Sequence, residues 1–424
     1  MSIQELHNLF KNSSAICTDS RNIIPDSIFF ALKGENFNGN KFAEQALIKG
    51  SKYAIIDEEE YQTERCILVE NVKECLQKLA KYHRKKLNIP VIGITGTNGK
   101  TTTKELIHSV LSSQYNCYAT KGNLNNQIGL PLSVLEINNE HEIAIIEMGA
   151  SEIGEIENLS RIAQPSSGII TNVGMAHLEG FGSFEGVIQT KTELYRYIKE
   201  NKGLVFVNSE DEILINKSMD IKRITYGIKS NSDFKSSITN MFPFLSLQTG
   251  NTSIHSNLVG EFQFYNILAA CAIGDFYNIN ADNLKKSIEA YHPKNNRTEI
   301  VETDSNYIIL DAYNANPSSM SSSVQSFNKL NGSKTILLGD MFELGKESEK
   351  EHFDLISFCI RNKFENIFLI GLEFFKHKNN FDIPFFYKTK KELINHLQKT
   401  PITSKHILIK GSRGMKMEDL INYI

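Results

Sequence analysis

Apolar residues along this chain fall into short continuous runs, separated by longer stretches in which they recur every three or four positions. The runs read as buried strands and the periodic stretches as amphipathic helices. In the first part of the chain, strands are expected at 27–32 and 53–56, with a helix at 41–48 between them. A basic helix follows at 72–86 and reads as a solvated face. Further on, the runs at 90–94, 143–146, 167–170 and 203–208 read as central parallel strands, with a helix at 104–112 after the first of them. An alternating stretch at 244–259 suggests a small antiparallel meander, and 268–273 a packed helix. The last part repeats the rhythm. Strands are expected at 307–311, 334–339, 366–370 and 406–410, helices at 318–329, 349–361 and 391–399, forming a second parallel sheet. Strands alternating with helices predict a doubly wound α/β architecture.

Turn formers at 292–296 and the end of the basic helix divide the chain into units at 1–88, 89–293 and 294–424. At 424 residues the chain exceeds what one core supports, which agrees with several domains. A net charge of −3 offers no electrostatic case for nucleic acid. No apolar run approaches the roughly 20 residues needed to span a bilayer. The first residues, Met1–Glu5, are polar and lack a basic-then-apolar leader pattern. The six cysteines have no metal-binding spacing, so they read as reduced thiols of a cytoplasmic protein.

The chemistry centres on Gly93–Thr103, which reads Gly-Ile-Thr-Gly-Thr-Asn-Gly-Lys-Thr-Thr-Thr. A buried strand, a glycine-rich turn and a helix start form a phosphate cradle. Gly96 and Gly99 let the backbone close on an anion, Lys100 faces the outer phosphates, and the Thr101 hydroxyl is placed for Mg²⁺. The usual first glycine of such loops would fall at Ile94, so the turn is a variant.

Polar residues also gather where strands end, which is where open α/β sheets bind ligands. Glu147 ends the 143–146 run; it is an Mg²⁺ ligand beside Thr101 or a surface carboxylate. His177, on residue type alone, reads as a structural histidine, and Lys191 as a surface lysine on a helix. The loop 33–40, with Asp19-Ser20-Arg21, reads as a plain surface loop, a ligand loop being the alternative. The loops Asp311–Pro317, Gly339–Gly345 and Lys410–Gly414 are three polar strand ends of one sheet. Lys410 and Arg413 have the chemistry to meet phosphate or carboxylate.

Thr95-Gly96-Thr97-Asn98-Gly99-Lys100-Thr101-Thr102 resembles the ATP loop of the Mur ligases, which accommodates the missing glycine. Gly122–Pro131, Glu147–Ala150 and His177–Ser183 resemble further motifs of the same family. Tyr313–Pro317, Gly339–Gly345 and Lys410–Arg413 narrow the resemblance to the branch that joins D-alanyl-D-alanine to UDP-N-acetylmuramoyl-tripeptide. It covers nearly the whole chain, and its motifs recur in order.

The resemblance implies a small α/β domain for the UDP end, a central ATP domain and a Rossmann-like last domain. It implies an ATP- and Mg²⁺-dependent amide ligase working through an acyl phosphate. The enzyme would be a cytoplasmic monomer with no nucleic-acid partner and no membrane insertion. By motif, Ser20, Arg21, Lys33, Gly34, Phe37 and Gly39 resemble the UDP-sugar pocket, and Asn125 and Asn126 the muramoyl-peptide contacts. Thr101, Glu147 and His177 resemble Mg²⁺ ligands, and Lys191 a lysine that relatives carry as a carbamate. Asn266 and Arg297 resemble nucleotide contacts, with Asp311, Tyr313 and Asn314 beside them, while Lys410, Ser412 and Arg413 resemble substrate contacts of the last domain. The chain departs from the family at Asn40, where many members have His, and at Phe262-Gln263, where a His-Asn pair is common. The alternatives are another Mur-type ligase, a folylpolyglutamate synthase and a non-enzymatic phosphate-loop switch. A guanine-reading switch would need Asn-Lys-x-Asp, which does not occur.

Overall fold

The computed structural model describes every residue except His177, Asn295 and Asp304, and the side chain of Leu178. Among the described residues, three parallel-rich sheets follow one another along the chain.

The first sheet has four parallel strands in the order Ile16–Cys17, Ile28–Phe30, Tyr53–Ile56 and Cys66–Leu68. The hairpin of Lys33–Gly34 and Phe37–Asn38 projects beyond its carboxyl end. Helix Val72–Arg84 then leads to the middle domain.

The middle sheet has seven strands, all parallel. Val91–Thr95 lies between Ser167–Ile170 and Ile143–Glu147; Cys117–Ala119 flanks the latter. Leu204–Asn208, Lys222–Gly227 and Phe234–Lys235 extend the other side. Strand order therefore reverses at Val91–Thr95, the switch point where such sheets open a ligand crevice. Strand side chains alternate between two cores. Ile92, Ile94, Ile143 and Ile145 pack under helices Lys100–Leu111 and Gln263–Phe276. Val91, Ala144 and Ile146 pack on the other side with Leu159, Leu194 and Leu130. That second cluster continues into Phe30, Leu76 and Leu79, so the first two domains share one core. Each fully buried aliphatic side chain of this kind contributes about 1.5–3 kcal/mol.

The last sheet has six strands in the order Glu299–Glu302, Tyr307–Asp311, His406–Lys410, Lys334–Gly339, Asn366–Ile370 and Phe385–Tyr387. Its first pair is antiparallel and the rest are parallel. This corrects the expectation of a wholly parallel sheet. Glu299–Glu302 is a half-exposed edge strand with charged ends, so it carries no apolar run to be read. The expected meander is a three-stranded antiparallel sheet of Ser237–Asn240, Ser246–Thr249 and Thr252–His255, beginning earlier than expected. The helix after the phosphate loop also begins earlier, at Lys100. Its first turn is polar, and apolar periodicity starts only at Leu106.

Candidate active site

A cleft of about 640 Å³ lies between the carboxyl ends of the middle and last sheets. Its floor is the turn after Val91–Thr95. Gly99 adopts φ +78° as the residue preceding helix Lys100–Leu111, and a Cβ there would stand 2.6 Å from Asn266 Oδ1. Gly96 has φ +144°, and a Cβ there would stand 2.0 Å from Thr171 Oγ1. Both positions therefore demand glycine. No side chain caps the helix start, so its free N–H groups can serve an anion.

The turn is pinned from the neighbouring strand end. Asn98 N–H donates to Asn172 Oδ1 (3.0 Å), and Asn172 Nδ2 donates back to Asn98 O (3.0 Å). Thr97 Oγ1 donates to Gly174 O at 3.1 Å. Lys100 Nζ folds back onto Gly96 O (2.7 Å) and Thr97 O (3.0 Å). Desolvation pushes the Lys100 ammonium down to about 8, despite the opposing pull of Glu147.

Glu147 is 1% exposed at the end of its strand. Its Oε1 accepts from Asn125 Nδ2 (2.7 Å) and Thr101 Oγ1 (3.3 Å). Its Oε2 is buried and has no hydrogen-bond partner, although Lys104 Nζ stands 3.6 Å away. Among the described residues no group of three or more His, Cys, Asp or Glu is arranged to hold a metal. One carboxylate with an orphaned buried oxygen and a hydroxyl beside it nevertheless fit Mg²⁺, which takes one or two carboxylates and completes its shell with phosphates and water. The expected third ligand, His177, lies outside the described residues.

Lys191 is not the surface lysine its residue type suggests. It is 2% exposed on helix Phe184–Lys191, with its ammonium 5.2 Å from the centre of the Phe181 ring. Burial, and secondarily the charge of Lys100, push it down to about 7.

Asn266 donates to Gln263 Oε1 (2.7 Å) and accepts from Thr103 Oγ1 (3.1 Å), which locks it against the loop. Gln263 thus supports Asn266 from the position where the resemblance pointed to a departure. From the last domain, the Arg297 guanidinium lies 3.5 Å over the Tyr313 ring. Lys410 Nζ pairs with Asp311 Oδ2 (2.5 Å) and donates to Asn314 O (3.1 Å). Helix Pro317–Asn328 closes on the phosphate loop: Asn316 Nδ2 donates to Asn98 Oδ1 at 2.8 Å. Ser318 Oγ accepts from Met175 N–H at 2.9 Å.

The cleft brings together Thr97 through Thr102, Asn125, Asn126, Glu147, Asn266, Arg297, Asp311, Tyr313, Asn314 and Lys410. Thr95 and Gly96 lie buried beneath it; Thr95 Oγ1 donates to Met148 O at 2.9 Å. Ser412 and Arg413 are not among its lining residues. Ser412 Oγ instead accepts from Phe342 N–H (2.9 Å), and Arg413 pairs with Glu418. The first-domain residues gather elsewhere, at the carboxyl end of their own sheet. Arg21 pairs with Asp19 (2.8 Å) and Lys33 with Asp57 (3.0 Å). Phe37 is exposed and stacks on Phe42 at 5.3 Å. Gly34 is open, Gly39 presses on Leu32, and Ser20 O accepts from Lys49 at 2.8 Å. Asn40 Nδ2 donates to Asp57 Oδ1 at 2.8 Å, so its amide supports the fold of the loop. Sequence reasoning missed Asn172, Ser318 and Lys104. Asn172 had a signal, since it directly follows a central strand.

A strand–glycine turn–helix cradle, an acidic strand end and a second α/β domain closing over both define a phosphate-loop nucleotide enzyme of the multidomain ligase type. The chain belongs to the Mur ligase family. Residues 13–94 match the Mur ligase family catalytic domain, 94–274 the Mur ligase middle domain and 296–413 the Mur ligase glutamate ligase domain. It is 35% identical over 422 residues to the UDP-N-acetylmuramoyl-tripeptide--D-alanyl-D-alanine ligase of Bacillus subtilis, covering 96% of this chain and 92% of that relative. The Escherichia coli ligase of that name is 30% identical, with 96% and 92% covered. The crystal structure of MurF from Acinetobacter baumannii superposes with a TM-score of 0.89 at 29% identity, covering 99% of this chain and 98% of that one. MurF ligase from Thermotoga maritima in complex with ADP gives 0.86 at 26% identity, covering 98% and 97%.

Proposed function

We infer that this chain is an ATP-dependent amide ligase that joins D-alanyl-D-alanine to UDP-N-acetylmuramoyl-tripeptide, a step in making peptidoglycan precursor. The observation that carries the reading is the closure of the last domain onto the phosphate loop through Asn316 and Asn98, over a cleft holding Lys100 and Glu147. The full-length similarity to ligases of that name supports the choice of substrates.

A carboxylate is a poor electrophile, so amide formation requires a leaving group. The tripeptide carboxylate attacks the γ-phosphorus of ATP; the bond to ADP breaks and an acyl phosphate forms. The amine of D-alanyl-D-alanine then attacks the acyl carbon, loses a proton and expels inorganic phosphate. Lys100 and the helix-start N–H groups stabilise charge on the phosphates, mainly by position and electrostatics. Thr101 and Glu147, with His177 expected as a third ligand, would hold Mg²⁺, which would supply further charge neutralisation. Closure of the last domain excludes the water that would hydrolyse the acyl phosphate.

Asn125 and Asn126 face the muramoyl-peptide side, and the first-domain set Ser20, Arg21, Lys33, Gly34, Phe37 and Gly39 holds the UDP end. Lys410 orients Asp311 beside the nucleotide. A buried Lys191, its ammonium pushed down to about 7, is suited to take up CO₂ as a carbamate: its neutral amine bonds to the carbon and releases a proton. We propose that the enzyme works in the cytoplasm, where ATP and the nucleotide-linked substrate occur, and as a monomer. Among the described residues no helix is long and apolar enough to cross a membrane. The test is phosphate release from ATP with UDP-N-acetylmuramoyl-tripeptide, with and without D-alanyl-D-alanine. Release that requires both substrates supports the reading. Release indifferent to the dipeptide overturns it.

A further inference from the structure

Lys104 has no role in the account so far, yet it is among the most deeply buried cations in the molecule, at 2% exposure. It lies on helix Lys100–Leu111, one turn beyond Lys100. A buried lysine is costly unless its charge is matched and its donors are used. Lys104 Nζ stands 3.6 Å from Glu147 Oε2 and donates to Gly122 O at 3.3 Å. The first partner is the carboxylate proposed for the metal. The second opens the loop that carries Asn125 and Asn126.

That loop returns to the same carboxylate. Asn125 Nδ2 donates to Glu147 Oε1 at 2.7 Å, while Asn125 O accepts from Gly149 N–H at 2.8 Å. A Cβ on Gly149 would stand 2.9 Å from Asn125 Oδ1, so the loop is pressed against the strand end. Gly122 itself has φ +54° and open space where a Cβ would stand, and beside it Lys121 pairs with Glu136 at 2.8 Å. The Lys104 bond supplies an anchor there. Glu147 is thus gripped by the loop through Oε1 and approached by Lys104 at Oε2.

We propose that Lys104 is a positioning residue that ties the muramoyl-peptide loop at 121–127 to Glu147, so that the tripeptide and the carboxylate proposed for the metal are placed as one unit. Its ammonium balances the charge of the carboxylate oxygen that lacks a hydrogen bond, 3.6 Å away, while Asn125 holds the Glu147 side chain through the other oxygen. Its bond to Gly122 fixes the far end of the loop.

This rests on the reading of the loop as the muramoyl-peptide side, so the test separates the two. In Lys104→Met, amide hydrogen exchange of 121–127 in the free protein is expected to speed up at least tenfold, with exchange of the distant strand Asn366–Ile370 unchanged. The KM for UDP-N-acetylmuramoyl-tripeptide is expected to rise about tenfold, with the KM for ATP changing less than threefold. In a double-mutant cycle with Asn125→Ala, the two effects on the tripeptide KM are expected to be less than additive, because both act through Glu147. Lys104→Gln, which keeps a neutral donor on a side chain one bond shorter, is expected to recover part of the exchange protection. Unchanged exchange of the loop in a folded Lys104→Met protein overturns the tie whatever the substrate is. So does a uniform rise in both KM values. Failure of the wild type to turn over the tripeptide refutes the substrate reading instead, leaving the exchange result to decide the tie.

Discussion

Asn316 Nδ2 donates to Asn98 Oδ1 across 2.8 Å, joining the N-cap of a last-domain helix to the middle domain's phosphate loop. The same Asn316 accepts from Ser319 N–H at 2.8 Å and caps its helix. One side chain therefore serves helix stability and domain closure together. Asn316→Ala should lose about 0.5–2 kcal/mol of stability from the cap and at least tenfold in kcat/KM. Asn316→Ser should restore the cap but not the reach. Thermal unfolding near wild type with turnover still impaired would confirm that closure runs through this contact; recovered turnover would contradict it.

Lys100→Ala should abolish phosphate release in the presence of both substrates. The ordinary Lys100 also carries a pH signature. Its ammonium in the free enzyme is pushed down to about 8, so the charge that meets the phosphates is present below that pH and lost above it. ADP affinity measured by calorimetry should therefore weaken from pH 7 to pH 9. An affinity flat across that range would remove the Lys100 charge from nucleotide binding.

Glu147→Gln keeps the shape of the side chain and removes its charge beside Thr101. The Mg²⁺ concentration for half-maximal turnover should rise at least tenfold, and chelation of Mg²⁺ should stop phosphate release in the wild type. His177→Ala should also raise the Mg²⁺ requirement. An unchanged Mg²⁺ titration in either variant would remove that residue from the metal site.

CO₂ adds only to a neutral amine. Burial holds Lys191 at about 7, so its neutral fraction falls as pH drops through that value. Activity dependent on a carbamate should decline below pH 7, and carbon NMR of protein equilibrated with labelled bicarbonate should show a carbamate signal that Lys191→Ala lacks. Lys191→Ala should also lose activity that excess bicarbonate does not restore. The sign for stability follows from the same shift. The unfolded lysine keeps its proton up to about 10.4, while the folded one releases it near 7, so burial penalises the fold most below pH 7 and the penalty is relieved as pH rises to about 10.

Much of the fold is legible in the sequence where strands are buried on both faces. The expected runs at 53–56, 167–170, 307–311, 334–339, 366–370 and 406–410 coincide with observed strands. Edge elements are not legible. Glu299–Glu302 is half exposed and lacks a continuous apolar run, and Cys117–Ala119 is only three residues long. Helix Ile3–Lys11, by contrast, was legible from its Ser2–Glu5 capping box and its apolar Ile3, Leu6 and Phe10, although it is absent from the expectations above. In the site, Lys100 and Glu147 stand out because they follow central strands. Lys104 does not, because a lysine on a helix ordinarily reads as solvated. Its burial comes from packing between the helix, the Glu147 strand and the Gly122 loop, which no local pattern records. Lys191 was concealed in the same way and emerged only through the family resemblance.

The most direct test of the central claim is the mass of the product formed from UDP-N-acetylmuramoyl-tripeptide, D-alanyl-D-alanine and Mg·ATP. The account predicts a species heavier by one D-alanyl-D-alanine less one water, formed in step with one ADP and one phosphate. ADP and phosphate without that species, or transfer of a single amino acid in place of the dipeptide, would contradict it.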